Sequence, residues 1–164
     1  MTDVGALFRQ YHEPLVRMLY RRTGDRDRAE ELAQETFARA VEAPPLNPRP
    51  WLFAVALNLV REEGRRHSTR ARRLELYRHE GPAAAPAPDQ ELVRNEDRAR
   101  VQRALATLNE RDREALLLKA EGFDYDEIAA TLGLARGAIG TTLCRARKRL
   151  VAAYREEERT DVAS

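Results

Sequence analysis

The sequence predicts an all-α protein of two small helical domains, the second of which is a helix-turn-helix domain. Apolar residues recur every three or four positions through most of the 164 residues, and no segment alternates apolar and polar residues as a half-buried strand would. Residues 79–89 contain three prolines and no large apolar side chain, so they are predicted to be a flexible Pro/Ala linker. This linker divides a first domain, residues 1–78, from a second domain, residues 90–159, which is followed by a short tail at 160–164.

Three helices are predicted in the first domain. The first spans about residues 4–22, and Asp25 then caps a second helix that runs to about residue 43. Four prolines make residues 43–50 a stiff loop. A third helix begins at about Trp51 and continues as an arginine-rich tail towards Tyr77. Helical spacing predicts that the following side chains face the core: Leu7, Phe8, Tyr11, Leu15, Met18 and Leu19; Ala29, Leu32, Ala33, Phe37, Ala40 and Val41; Trp51, Leu52, Val55, Ala56, Leu59 and Val60.

The second domain is predicted to begin with two helices that support the helix-turn-helix. The first covers about residues 91–108, and Asn109 caps the second, which ends near Gly122. Glu156 begins a polar segment that we expect to fray. The predicted core residues of these two helices are Leu92, Val101, Leu105 and Leu108, then Ala115, Leu116, Leu117 and Leu118.

The helix-turn-helix is predicted from residues 124–154. Asp124 caps a short helix, with Glu127 completing an acidic capping box, and Gly133 lies where the turn needs a left-handed residue. A second helix, residues 136–154, is basic, and residues 135–155 contain no acid. This concentration of charge favours major-groove recognition over a helical hairpin that merely packs. The apolar faces are Ile128, Ala129 and Leu132, then Ile139, Leu143, Ala146 and Leu150; the basic residues are Arg136, Arg145, Arg147, Lys148, Arg149 and Arg155.

Charge is distributed unevenly although the net charge is only +2. Residues 25–42 hold six acids and three bases, whereas residues 61–78 hold seven arginines and three glutamates. This asymmetry predicts one acidic protein-binding face and two basic nucleic-acid-binding faces. The one cysteine, Cys144, provides no disulfide framework, and we find no signal peptide and no stretch of about 18 apolar residues, so a cytoplasmic protein is expected.

The residues predict neither an enzyme nor a cofactor-binding or metal-binding protein. His12, His67 and His79 are scattered along the chain, and no glycine-rich phosphate loop or nucleophile–base pair is present in the sequence. Cys144 could sense oxidants as a thiol, but an inert small residue on the helix is the favoured interpretation, since no second cysteine could resolve it.

Three segments resemble bacterial sigma factors of the small extracytoplasmic-function type. Ala-Glu-Glu-Leu-Ala-Gln-Glu-Thr-Phe at 29–37 resembles the signature of region 2, and Trp-Leu-Phe-Ala-Val-Ala-Leu-Asn at 51–58 resembles the segment after it. Ala-Thr-Leu-Asn-Glu-Arg-Asp-Arg-Glu-Ala-Leu-Leu-Leu at 106–118, followed by the helix-turn-helix, resembles region 4. The resemblance covers most of residues 5–75 and 95–152. It implies a subunit that binds core RNA polymerase at its clamp coiled coil and flap, recognises the minus-35 and minus-10 promoter elements and opens the promoter.

The resemblance also implies roles for residues of the first domain. The exposed side of the acidic helix would contact the polymerase clamp, although those residues taken alone favour an ordinary solvated face. The loop 43–50 would capture a flipped base, and stacking and arginine contacts would hold the melted strand. Trp51 alone is better interpreted as a core residue than as a stacking platform. The implied sets are Glu30, Glu31, Gln34 and Glu35 for polymerase, and Trp51, Asn58, Arg61, Arg65 and Arg66 for minus-10 DNA.

The recognition helix departs from the family pattern. Where relatives commonly carry Lys-Ser-Arg, this chain has Gly140, Thr141 and Thr142, and Leu57 replaces a common basic residue. Glycine inside a helix costs about 1 kcal/mol relative to alanine, so Gly140 needs an explanation. Two are open: the helix backbone approaches DNA closely at this glycine, or this helix binds minus-35 DNA weakly. The implied minus-35 set is Arg136, Gly137, Gly140, Thr141, Arg145, Arg147 and Lys148.

Two alternatives to a sigma factor remain open from the sequence. One is a helix-turn-helix regulator that binds duplex DNA without polymerase. The other is a sigma-like decoy that titrates an inhibitor. An inhibitory anti-sigma protein is a further candidate partner.

Overall fold

Seven helices and no strand make up the part of the chain that the computed structural model describes, residues 3–74 and 89–163, with side chains described at 3–66 and 94–163. The all-α prediction is therefore confirmed. The end of the arginine-rich tail at Tyr77, residues 79–88 of the predicted linker, and the side chain of Leu92 lie outside the described residues. The helices are α1 (Val4–Thr23), α2 (Arg26–Glu42), α3 (Pro48–Leu74), α4 (Asp89–Ala106), α5 (Glu110–Ala120), α6 (Tyr125–Leu132) and α7 (Arg136–Ala163).

Helices α1, α2 and α3 pack together as the first domain. Gly24 ends α1 in the left-handed conformation, with φ 74°, and the Asp25 side chain accepts a hydrogen bond from the backbone N–H of Arg28 to cap α2. Two predicted core residues are instead exposed: Phe8 at 42% and Val41 at 64%. Phe8 lies at the rim, where its ring stacks on His12, and Val41 lies in the last turn of α2.

Helix α3 is buried on more than one side. Phe53 and Leu57 are both 1% exposed, although the sequence pattern had assigned only one stripe of this helix to the core. The reason is that α3 packs against α1 and α2 and also against α6 of the second domain. Trp51 and Val55, which were predicted as core, are partly buried against the same cluster.

The proline-rich loop is shorter than predicted. Helix α3 begins at Pro48 rather than at Trp51, so the connection from α2 is residues 43–47. Proline is well tolerated in the first turn of a helix, where its missing N–H would have had no helical acceptor. Pro48 and Pro50 therefore start the helix instead of delaying it. Leu46 in this loop is fully exposed.

The caps predicted in the second domain are present. The Asn109 side chain accepts from the N–H of Asp112, and Asp124 and Glu127 form the reciprocal capping box of α6. Gly133 adopts φ 65° at the turn before α7. Ile128 is fully buried, and the partly exposed Leu132 and Leu150 pack against the same core.

Helix α7 is longer than predicted and does not fray after Glu156. It continues to Ala163, because its acidic last turns run beside α4 and pair with arginines there. Arg103 Nε lies 2.6 Å from Glu157 Oε2, and Arg100 lies 3.0 Å from Asp161 Oδ2.

Helix α4 differs from its prediction in two ways. Val101, which is predicted as a core residue, is 39% exposed. The helix begins at Asp89, a residue that the prediction places in the linker.

The two domains pack against each other through aromatic rings. Phe53 of α3 and Phe123, which precedes α6, are both essentially buried, and their rings meet edge to face with centroids 4.8 Å apart. One continuous cluster of buried side chains therefore includes residues of both domains. The sequence had predicted two separate helical units and gave no indication of this contact.

Candidate nucleic-acid interface

The acidic side of α2 is open to solvent. Glu31, Gln34 and Glu35 are exposed and Glu30 is half-buried, while Leu32, Ala33 and Phe37 on the opposite side are buried. Each glutamate has an arginine within a turn: Arg26 lies 3.8 Å from Glu30, Arg28 lies 2.5 Å from Glu31 and Arg39 lies 3.4 Å from Glu35. Such neighbours on one helix stabilise it only slightly. The carboxylates therefore remain available to a partner.

The predicted minus-10 residues share one side of α3. Trp51, Asn58 and Arg65 are seven residues, or about two turns, apart, and Arg61 lies one turn after Asn58. Asn58, Arg65 and Arg66 are exposed, whereas Trp51 is partly buried against the core. Arg61 Nη1 donates to Asn58 Oδ1 over 2.8 Å, so the amide of Asn58 is oriented by its neighbour.

Arg61 is also held by the second domain. Its Nε and Nη2 donate to the two carboxylate oxygens of Glu114 on α5, over 2.7 and 2.5 Å. The Glu114 side chain is only 4% exposed. Hydrogen bonding to Glu114 outweighs burial and raises the pKa of Arg61 above its ordinary value, so the guanidinium is firmly cationic.

The N-terminal end of α7 is open and carries one cation. Arg136 Nε lies 2.6 Å from Asp126 Oδ1 of α6, and both side chains are mostly exposed. A pair of this kind contributes about 0–1 kcal/mol, so a phosphate could replace the carboxylate. A Cβ added at Gly137 would meet nothing within 4 Å, which leaves this turn open to an approaching surface.

The neutral middle of α7 has two different surroundings. Thr141 is exposed, but Thr142 is 5% exposed and its hydroxyl donates to the carbonyl of Ala138, so Thr142 faces the core rather than a ligand. A Cβ added at Gly140 would meet the Tyr125 ring at 3.5 Å, an ordinary packing distance. Gly140 therefore lies against α6, and its absent side chain is not explained by a steric requirement.

Arg145 is turned towards the protein, which differs from the contact with minus-35 DNA that the resemblance implies for it. Its Nη2 lies 2.9 Å from Asp112 Oδ1, and Arg149 Nη1 lies 3.1 Å from Asp112 Oδ2. Asp112 on α5 is fully buried. The hydrogen bond to Asp112, helped by its charge, raises the pKa of Arg145. Arg147 and Lys148 are exposed, as is the free thiol of Cys144.

Sequence reasoning did not single out two residues near these surfaces. Asp112 braces α7 on α5, and the one available signal was the spacing of Arg145 and Arg149, which places both on one side of a helix. Leu46 is exposed in the loop before α3, beside the predicted minus-10 surface. A leucine among prolines gave no indication of exposure.

Two kinds of site are absent from the described parts of the chain. Within residues 3–74 and 89–163, no helix combines the length and the apolar character that crossing a membrane requires. No three His, Cys, Asp or Glu side chains of these residues come together in a way that could hold a metal ion.

Known protein families match both halves of the chain. The family described as "Sigma-70 region 2" matches residues 7–70, and the family described as "Sigma-70, region 4" matches residues 98–150. The chain is 30% identical over 172 residues to the RNA polymerase sigma factor YlaC of Bacillus subtilis, covering 96% of each protein. It is 37% identical over 141 residues to the ECF RNA polymerase sigma factor EcfG of Rhodopseudomonas palustris, covering 79% of this chain and 73% of that one.

Two solved structures share the fold across nearly the whole chain. The sigma factor RpoE of Bartonella quintana, solved in complex with the anti-sigma factor NepR, has a TM-score of 0.69 and 26% identity over 94% of this chain and 98% of that one. CnrH, solved with the cytosolic domain of CnrY, has a TM-score of 0.66 and 27% identity over 91% of this chain and 85% of that one. In both cases the match extends over both domains.

Proposed function

The chain belongs to the sigma-70 family of RNA polymerase subunits, in its extracytoplasmic-function group, and from this premise we propose which of its surfaces carries each step of initiation. A sigma factor is the promoter-specificity subunit that binds core RNA polymerase, recognises the minus-35 and minus-10 elements and helps melt the promoter. The first domain, residues 1–78, is assigned to polymerase and minus-10 DNA, and the second, residues 90–159, to minus-35 DNA. No catalytic step is assigned to the chain itself.

The polymerase contact is assigned to the acidic side of α2, at Glu30, Glu31, Gln34 and Glu35. The supporting observation is that this side is exposed although the helix is otherwise well packed. The carboxylates have only short-range arginine neighbours on the same helix, which a basic partner surface could replace.

Charge reversal on α2 tests this contact. Glu31→Lys together with Glu35→Lys should weaken binding to core polymerase by roughly three- to thirtyfold, since each exposed pair is worth about 0.2–1 kcal/mol and like charges then repel. The measurement is a titration of fluorescent protein with core polymerase. Glu156→Lys with Glu158→Lys is the matched control, because it makes the same charge change at exposed positions of α7. Equal affinities of the two double variants, with unchanged circular dichroism, would remove the contact from α2.

Minus-10 recognition is assigned to the side of α3 that carries Asn58, Arg61, Arg65 and Arg66, together with the loop 43–47. An exposed amide supplies a donor and an acceptor for a base edge, and the arginines supply phosphate contacts. Trp51 packs against the core and is assigned to holding the start of α3 in place rather than to stacking on a base.

Minus-35 recognition is assigned to the N-terminal half of α7. Arg136 and Gly137 lie at the end of the helix that enters the groove, and Thr141 continues the same exposed surface. Arg147 and Lys148 lie further along and are assigned to phosphates. Arg145 is assigned to the brace with Asp112. Few cations face the DNA, so duplex binding by this domain is expected to be weak and its salt dependence shallow.

Adding one cation at Thr141 tests this assignment. Thr141→Lys should tighten binding to minus-35 duplex and steepen the slope of log affinity against log salt by about 0.9, the value for one phosphate contact. Thr141 is chosen rather than its neighbour Thr142 because Thr142 is buried. Ala152→Lys, an exposed position three turns further along α7, is the control. Fluorescence anisotropy across a salt series measures both slopes; a steeper slope in the control alone would place the DNA elsewhere on α7.

An anti-sigma partner is also proposed. One structural neighbour, RpoE, was solved with an anti-sigma factor bound, and the other, CnrH, with the cytosolic domain of CnrY bound. This chain aligns with both over more than nine-tenths of its length. From the sequence alone, a helix-turn-helix regulator that binds duplex DNA without polymerase was the alternative function. The observation that carries the proposal is that one domain presents both an open acidic side of α2 and an exposed amide and arginines on α3. Gel filtration with core polymerase separates the two functions, since a sigma factor forms a stoichiometric complex and a duplex-binding regulator does not.

A further inference from the structure

The glycine in the middle of the recognition helix lies beside an aromatic ring of the preceding helix. A Cβ added at Gly140 of α7 would lie 3.5 Å from a ring carbon of Tyr125 and 3.9 Å from its hydroxyl oxygen. Tyr125 is the first residue of α6. Its hydroxyl is therefore close to the point at which a side chain at position 140 would leave the recognition helix. With glycine at this position, that side of the hydroxyl stays uncovered.

The Tyr125 ring is held by groups of three helices. The capping box of Asp124 and Glu127 fixes the backbone where the chain enters α6. Lys119, in the last turn of α5, places its Nζ over the ring, 5.8 Å from the ring centroid. The edge of the same ring packs on α7 at Gly140. These contacts keep the hydroxyl directed at the edge between α6 and α7.

The hydroxyl is open to an acceptor from outside the chain. Tyr125 is 37% exposed, and among the side chains described at 3–66 and 94–163 its hydroxyl has no hydrogen-bond partner. Arg136 lies on the same edge, one turn before Gly140, and pairs with Asp126, the residue after Tyr125. A cation and a neutral donor thus lie side by side at the start of the surface assigned to minus-35 DNA.

The acids in the first turn of α6 are each engaged within the chain. Asp124 accepts a hydrogen bond from the backbone N–H of Glu127, and Asp126 pairs with Arg136 at 2.6 Å. Glu127 pairs with Arg49, also at 2.6 Å. Their charges are partly offset in this way. The hydroxyl beside them supplies a donor for a phosphate without adding a cation.

We propose that Tyr125 is a further DNA-binding residue, whose hydroxyl donates to a backbone phosphate of the minus-35 duplex across the space that Gly140 leaves open. This inference rests on the proposed minus-35 role of α7. In a helix-turn-helix the first helix crosses the DNA backbone while the second enters the groove, and tyrosine hydroxyls are among the groups that bind phosphate oxygens. The inference also explains Gly140: a longer side chain there would lean towards the N-terminal end of α7, against the hydroxyl.

Removing the hydroxyl tests the contact. The full chain is titrated against a fluorescein-labelled minus-35 duplex, taken from a promoter mapped by run-off transcription, and anisotropy is measured across a salt series. Tyr125→Phe should weaken binding roughly fivefold or more, as expected for a hydrogen bond to a charged group. The melting temperature and the salt slope should not change, because a neutral donor releases no counterion. Tyr154→Phe is the control, since its hydroxyl lies 3.4 Å from Asp97 of α4; it should change affinity by less than about twofold.

Filling the space at Gly140 tests the other half of the inference. Gly140→Leu should weaken binding at least as much as Tyr125→Phe, because leucine covers the hydroxyl, although leucine favours a helix over glycine and should raise the melting temperature. The double variant should bind within about twofold of Gly140→Leu alone, since the hydroxyl is then already covered. Gly140→Ala is the control: its Cβ makes an ordinary contact with the ring at 3.5 Å, so affinity should stay within about twofold.

Thr141→Lys, measured in the same assay, reports on the minus-35 surface separately. If it tightens binding as expected while Tyr125→Phe has an effect below about twofold, the Tyr125 contact is wrong and the surface stands. A loss in Tyr125→Phe with a flatter salt slope would mean that α7 has moved, and effects of Tyr125→Phe and Gly140→Leu that multiply would mean that the glycine does not expose the hydroxyl. Either result overturns the inference. Binding that neither Thr141→Lys nor Tyr125→Phe alters, or a chain that supports no initiation, contradicts the proposed function as well.

Discussion

Replacing Asp112 with asparagine is expected to lower the unfolding temperature of the second domain by roughly 10–20 °C. Asp112 is fully buried on α5, and its carboxylate holds Arg145 at 2.9 Å and Arg149 at 3.1 Å, which fixes α7. Breaking a buried ion pair costs about 3–5 kcal/mol. Because the two arginine side chains are 42% and 54% exposed and regain water, we expect about 2–3 kcal/mol here.

Differential scanning calorimetry of the full chain measures this change, with Asp126→Asn as the matched control. Asp126 also pairs with an arginine of α7, Arg136 at 2.6 Å, but it is 72% exposed. Exposed pairs contribute about 0–1 kcal/mol, so the control should shift the transition by only a few degrees. Similar shifts for both variants would show that Asp112 does not brace the recognition helix. Minus-35 duplex binding should fall with the stability of the Asp112 variant.

Replacing Asn58 with alanine is expected to reduce open complexes on duplex promoters by about tenfold or more. The Asn58 amide is exposed on α3 and oriented by Arg61 at 2.8 Å, so it is placed to read a base. Loss of one base contact typically costs about 1–3 kcal/mol. Deleting residues 44–46, including the exposed Leu46, should have a similar effect, because a flipped base then lacks its pocket.

Permanganate footprinting with core polymerase measures this opening. Gln10→Ala, which removes an exposed amide from α1, is the control and should open promoters normally. Premelted templates should partly rescue both the Asn58 variant and the loop deletion, since the cost of unstacking, a few kcal/mol, has then already been met. Normal footprints on duplex promoters in both variants would contradict base capture by the loop and α3.

Local signals predicted most of the helices. Asp25, Asn109 and Asp124 each accept from a backbone N–H three residues on, and Gly133 has the positive φ that its turn required. Such features depend on neighbours within a few residues, so a sequence displays them directly. The errors arose where a local rule had two outcomes: prolines either extend a loop or begin a helix, and an acidic C-terminal segment either frays or pairs with another helix.

The contacts between distant residues could not have been predicted in this way. Arg61 and Glu114 are 53 positions apart, and Arg17 and Glu121 are 104 apart. Nothing in a pattern of spacing pairs one arginine among many with one glutamate among many. For the same reason Arg145 was included in the minus-35 set, although a buried carboxylate on α5 holds it. Surface charge was predictable in amount and position, but its partners depend on the tertiary fold.

Run-off transcription on genomic fragments, with core polymerase and this chain as the only sigma factor, tests the assignment of the chain as a promoter-specificity subunit most directly. We expect defined transcripts that appear only when the chain is added and that are reduced by Asn58→Ala but not by Gln10→Ala. Unchanged transcription when the chain is added, despite a folded protein and active core polymerase, would contradict that assignment.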